Sequence, residues 1–143
     1  MTFKEVQKQL VFIGSDHAGF EAKELLKPYL VSEGFEVTDL GCFNTAPCDY
    51  PDIAREVSEK VIEHSGDKAF GILICGSGNG VAMAANRFKE IRAGVAIDEH
   101  MAEMTRRHNN ANVLTMGARD IDIEMMKKVA RKFLTTEFEN KEE

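Results

Sequence analysis

The chain has 143 residues, 43% hydrophobic and 29% charged, with a formal net charge of −6 at pH 7. That size and mixture suit a single domain with an ordinary core. The acidic balance argues against broad contact with nucleic acid or an anionic membrane, and leaves a small anionic ligand compatible.

Cys42, Cys48 and Cys75 form neither a CxxC pair nor a zinc-ligand spacing, so no metal is expected, and an odd count without a leader points to a reducing, cytoplasmic setting. Cys42 and Cys48 read as loop thiols. No segment approaches ~18 continuous apolar residues.

In chain order, Leu10-Val11-Phe12-Ile13-Gly14 reads as a buried strand that breaks at Ser15-Asp16-His17. A helix follows from Ala22, with Leu25, Leu26, Tyr29 and Leu30 at helical spacing and Gly34 as its stop; Pro28 should kink it or shift its boundary. Phe35 to Leu40 is a second strand, and a loop from Gly41 to Tyr50 leads to Pro51, which suits a first helical turn carrying Ile53, Val57 and Val61. Phe70 to Cys75 is a third strand, which stops at the turn Gly76-Ser77-Gly78-Asn79-Gly80 and restarts as a small-residue helix, Val81 to Ala85. Ile91 to Ile97 is a fourth strand, with a helix capped by Asp98 after it. Val113 to Gly117 is a fifth, and Ile123 to Leu134 carries the apolar stripe of a last helix.

Five strands alternating with five helices imply an α/β fold: a five-stranded parallel sheet with helices on both faces and ligands at the carboxyl ends of the strands. Residues 1–9 read as an N-terminal extension, 10–138 as one domain and 139–143 as a solvated acidic tail.

Cys75 stands at the mouth of a turn rich in backbone N–H groups, a place that stabilises developing negative charge. The turn lacks the third glycine of the dinucleotide fingerprint, since Val81 follows Gly80. Asp16 and His17 sit at one strand end, and Arg119 lies past another as an anion ligand. The cluster Arg106-Arg107-His108-Asn109-Asn110-Ala111-Asn112 precedes the fifth strand, and these segments are expected to converge on one pocket. The bland readings are a buried core thiol for Cys75, a helix cap for Asp16, and a solvated face for Arg106 and Arg107. A cysteine hydrolase with Cys75 and His108 also fits the residue types.

Taken together, Gly14-Ser15-Asp16-His17-Ala18-Gly19-Phe20, Asp49-Tyr50-Pro51, Gly71 through Gly80, Ala84-Ala85-Asn86-Arg87, Ile91-Arg92-Ala93 and His108 through Leu114 occur in one order. In that order the chain resembles the type B ribose-5-phosphate isomerases, a family that includes allose-6-phosphate and galactose-6-phosphate isomerases. The resemblance implies a Rossmann-like three-layer α/β/α sandwich, assembled as a homodimer or homotetramer with active sites at the subunit interface. It implies metal-free interconversion of aldose and ketose sugar phosphates through an enediolate, with no cofactor.

By that resemblance Cys75 is the base, while Ser77 and the turn from Gly76 through Gly78 and Asn79 to Gly80 hold the enediolate oxygens. Asp16 and His108 assist ring opening, Asn109 binds the sugar, Tyr50 lines the pocket, and His17 with Arg119 contacts phosphate. The chain departs from the family near its end, where Glu137-Phe138-Glu139-Asn140-Lys141-Glu142-Glu143 replaces a Gly-Gly-Arg-His segment whose arginine, with a second one soon after, holds phosphate. That departure leaves the phosphate to other groups, among them Arg106, Arg107 or Lys141, or else opens two alternatives: a hexose 6-phosphate or unphosphorylated sugar as substrate, or a sugar-phosphate binding protein without turnover.

Overall fold

A computed structural model describes residues 8–43 and 48–140. The strands are β1 (Leu10–Ser15), β2 (Glu36–Asp39), β3 (Phe70–Cys75), β4 (Ala93–Val95) and β5 (Val113–Gly117). They alternate with α1 (Phe20–Ser32), α2 (Tyr50–Glu63), α3 (Asn79–Ala85), α4 (Glu99–Arg107) and α5 (Ile123–Thr135). All pairings are parallel, in the order β2-β1-β3-β5-β4.

The continuous apolar runs of β1, β3 and β5 follow from burial on both faces. One face carries Val11, Ile13, Ile72, Ile74, Leu114 and Met116, packed against Leu26 and Leu30 of α1, Ala102 of α4, and Met126, Val129 and Phe133 of α5. The other carries Phe12, Leu73, Cys75 and Val113 under Ile53, Val57 and Val61 of α2 and Val81 and Ala85 of α3. The result is the three-layer sandwich expected from the alternation.

Three details depart from expectation for local reasons. A short 3-10 turn, His17–Gly19, brings α1 in at Phe20 rather than Ala22, and Pro28 lies inside the helix without ending it. Leu26 and Leu30 are fully buried, and burying two leucines is worth ~3–6 kcal/mol, enough to outweigh a proline cost of ~3 kcal/mol. β4 is shorter than the apolar run. Side-chain amides take over its entry: Asn112 Oδ1 accepts from Arg92 N at 2.8 Å and Asn86 Oδ1 from Ala93 N at 2.7 Å.

At the start of α5, Asp122 accepts from Met125 N at 2.8 Å. Asp122→Ala is expected to lower stability by about 1 kcal/mol through the lost cap, read by urea unfolding. No helix of the described residues is long and apolar enough to cross a membrane.

Candidate active site

The chain grows outward from β1 in both directions, to β2 on one side and β3 on the other, so the carboxyl ends of β1 and β3 flank a topological switch point. Cys75 ends β3 there. It is buried, 5% exposed, and its Sγ accepts a hydrogen bond from Gly78 N at 3.1 Å.

Gly78 donates that bond from a left-handed conformation, φ +81°, and a Cβ on it would lie 3.0 Å from the Met116 carbonyl carbon. The turn therefore holds the sulfur as well as joining strand to helix. Gly78→Ala is expected to cost about 1–2 kcal/mol of stability by thermal unfolding and to shift the donor away from Sγ. Ser77 is exposed, its Oγ accepting from Asn79 N at 3.2 Å. The first amides of α3 have no partner inside the helix.

Around this turn the structure gathers most of the expected residues. Asp16 N donates to Ile74 O at 3.2 Å, which ties the end of β1 to the end of β3. Its Oδ1 accepts from Gly19 N at 3.1 Å, so the cap reading of Asp16 holds and the carboxylate still stands at the carboxyl edge. His17 is exposed beside it.

Arg119 N donates to Gly76 O at 3.0 Å, and the Arg119 guanidinium lies 3.2 Å from where a Gly76 Cβ would stand. The Tyr50 ring closes the other side, 3.0 Å from a Cβ placed on Gly80.

His108 and Asn109 do not join them. His108 caps the end of α4 and, like Asn109, is exposed just before β5 begins. In register Val113 lies beside Gly71 and Gly117 beside Cys75; at ~3.3 Å per residue those ends are about 13 Å apart. Convergence within one protomer is therefore overturned: a residue that precedes a parallel strand stands at its amino end.

Three further readings change. Arg106 is no solvated face: it is 7% exposed and lies 4.8 Å over the Phe70 ring. Glu139 does not fray, since its N donates to Arg107 O at 3.1 Å and its carboxylate pairs with the Arg107 guanidinium. Lys141, a candidate replacement ligand for phosphate, and Glu142 lie outside the described residues.

Cys42 and Cys48 are not loop thiols but a disulfide, with their Cα atoms 6.3 Å apart. Sequence reasoning also missed the support under that loop. Lys23, fully buried, pairs with Asp39 at 2.8 Å and donates to Cys42 O. Lys27 pairs with Asp39 at 2.7 Å, and Ser15 N and O bond Gly41 O and Cys42 N at 2.7 and 2.8 Å.

Comparison with known proteins fits this arrangement. The model of a family described as Ribose/Galactose Isomerase matches residues 11–143. Ribose-5-phosphate isomerase B of Escherichia coli (strain K12) is 39% identical over 132 residues, covering 92% of this chain and 87% of that protein. The crystal structure of ribose-5-phosphate isomerase B from Mycoplasma genitalium with bound ribulose-5-phosphate superposes with a TM-score of 0.89 at 39% identity, covering 95% of this chain and 90% of that one. The Clostridium thermocellum ribose-5-phosphate isomerase B structure gives 0.89 at 37% identity, covering 93% and 88%. With a cysteine at the mouth of the glycine turn, and with both its sequence and its fold matched over nearly their full length, the chain belongs to the ribose/galactose isomerase family.

Proposed function

We propose that this sugar-phosphate aldose–ketose isomerase interconverts ribose 5-phosphate and ribulose 5-phosphate, with Cys75 as the base that carries the proton between C1 and C2. The observation that carries the reading is the 3.1 Å bond from Gly78 N to Cys75 Sγ, which seats the sulfur against the glycine turn and the start of α3. A thiolate there takes the proton alpha to the carbonyl, and the charge that moves onto the carbonyl oxygen meets Ser77 and the first amides of α3. The same sulfur returns the proton to the neighbouring carbon.

Asp16 stands where it can assist ring opening, His17 and Arg119 lie on the phosphate side, and Tyr50 forms the wall. A coupled assay in both directions tests the reading; inactivity of pure protein on ribose 5-phosphate and ribulose 5-phosphate would remove it.

The opposite placement of Cys75 and His108 supports a symmetric assembly in which His108 and Asn109 of a second copy complete the site. Cys75→Ala and His108→Ala proteins, each inactive, are then expected to regain roughly a quarter of wild-type activity when unfolded and refolded together, because half the dimers are mixed and each holds one intact site. No regain on mixing, or full activity of His108→Ala alone, would overturn the shared site.

The acidic stretch Glu137–Glu139, anchored on Arg107 beside His108, favours a second reading of the substrate as a hexose 6-phosphate or an unphosphorylated sugar. A panel of pentoses and hexoses, with and without phosphate, separates the two by kcat/KM.

A further inference from the structure

At the end of the sheet opposite Cys75, a cavity of about 700 Å³ opens between α4, the entry to β4 and the segment that follows α5. That volume is in the range of small-molecule sites, ~300–1,000 Å³. Arg106 reaches it from below. Its guanidinium lies over the edge-to-face pair of Phe70 and Phe133, 4.8 and 5.9 Å from their ring centres. Nε donates to Thr136 O at 3.0 Å, and Nη1 to Ala111 O at 2.6 Å and Asn110 Oδ1 at 3.2 Å.

Nη2 has no protein partner among the described residues, and none of their carboxylates lies within ion-pair distance of Arg106. An arginine this deeply buried is ordinarily paired. Burial pushes its pKa below the usual value, and the nearby charge of Glu137 only partly opposes that.

Two more cations line the same cavity, Lys68 and Arg92, with Glu90 and Glu137 as the acidic groups on its wall. Lys68 projects from a left-handed backbone position, φ 54°, that ends the turn before β3. Because Nε and Nη1 of Arg106 are already committed to the protein, the guanidinium offers no free fork for a carboxylate. A group with three outward oxygens matches three separate cations better.

We propose that this cavity is a second ligand site, distinct from the catalytic one, which takes the phosphate group of a small phosphorylated metabolite on Arg106 Nη2, Lys68 and Arg92. The remaining volume houses the organic part beside Phe70, Asn112 and Phe138. The site adjoins the turn that carries His108 and Asn109, because Arg106 Nη1 holds Asn110 and Arg92 Nη1 bonds Asn109 O at 3.4 Å. It does not depend on the role assigned to Cys75.

An amide-resolved NMR titration of the whole protein with inorganic phosphate tests this. Two saturable sets of shifts are expected, one at Ala69, Phe70, Asn110 and Glu137 and the other at His17 and Arg119. Lys68→Glu, on an exposed side chain, is expected to weaken the first set at least about tenfold and to leave the second set and the isomerase rate unchanged.

The proposal is overturned if the first set does not saturate, if Lys68→Glu leaves it unaltered, or if sodium chloride at equal ionic strength reproduces it. Failure of the catalytic reading would instead appear in the second set alone, as an absent response at His17 and Arg119, and as inactivity in the coupled assay.

Discussion

Cys75→Ala is expected to lower kcat on ribose 5-phosphate by about 10²–10⁴-fold while leaving KM within a few-fold, because the substitution removes the proton carrier and none of the groups that hold the sugar phosphate. The fold should survive: Cys75 is a small buried side chain at a strand end, and loss of one sulfur atom is a minor packing change beside the removal of a leucine. Two measurements give the result its meaning. Exchange of the C2 proton with solvent should fall in parallel with turnover, since both need the same base. Cys75→Ser should recover little, because a hydroxyl at the same place has far too high a proton affinity when ionised to serve near neutral pH. Wild-type turnover by Cys75→Ala would transfer the base role elsewhere, with Asp16, at the adjoining strand end, the next candidate.

Asp39→Asn is expected to destabilise the protein by about 3–5 kcal/mol, read by urea unfolding at pH 7, because it strands the ammonium of a fully buried Lys23. Glu24, 3.9 Å away and largely exposed, is a poor substitute partner. Burial alone would raise the Asp39 pKa, yet hydrogen bonds from Lys23, Lys27 and Gly41 N outweigh it and hold the value below the ordinary 3.8. The sign of the pH dependence follows. A carboxylate with a depressed folded-state pKa contributes stability that is present in full above about pH 4 and is lost as the pH falls through the lower folded value. Wild type should therefore lose stability more steeply than Asp39→Asn as the pH falls below about 4. Parallel acid limbs for the two proteins would show that the pair contributes nothing.

Much of the fold was legible because it is written locally. The runs ending at Ser15, Cys75 and Gly117 are apolar on both faces, and each is followed by a polar turn and a helical stripe, which is the pattern a covered parallel strand must have. The geometry at Cys75 was legible for a similar reason: strand, glycine turn and small-residue helix are contiguous in sequence, so the hydrogen-bond donor of the sulfur, Gly78 N, arrives with it. The placement of Arg106 was not. Side by side, Arg106 and Arg107 are the same residue, and only Phe70 and Phe133, brought from distant segments, decide that one is buried and the other pairs with Glu103 and Glu139. The Cys42–Cys48 bond and the Lys23–Asp39 pair are likewise products of loop closure across the edge of the sheet, with no periodicity to announce them. The position of His108 differs again. Strand direction alone puts the residues before β5 at the end away from Cys75, so the information was present, and resemblance among the polar residues outweighed it.

That separation has a consequence for how the enzyme behaves at low abundance. If the base and the ring-opening histidine of one site belong to different copies, a lone protomer is catalytically blank, and turnover becomes a second-order property of the protein's own concentration. Serial dilution would then show specific activity falling once protomers outnumber pairs, with the midpoint reporting the association constant.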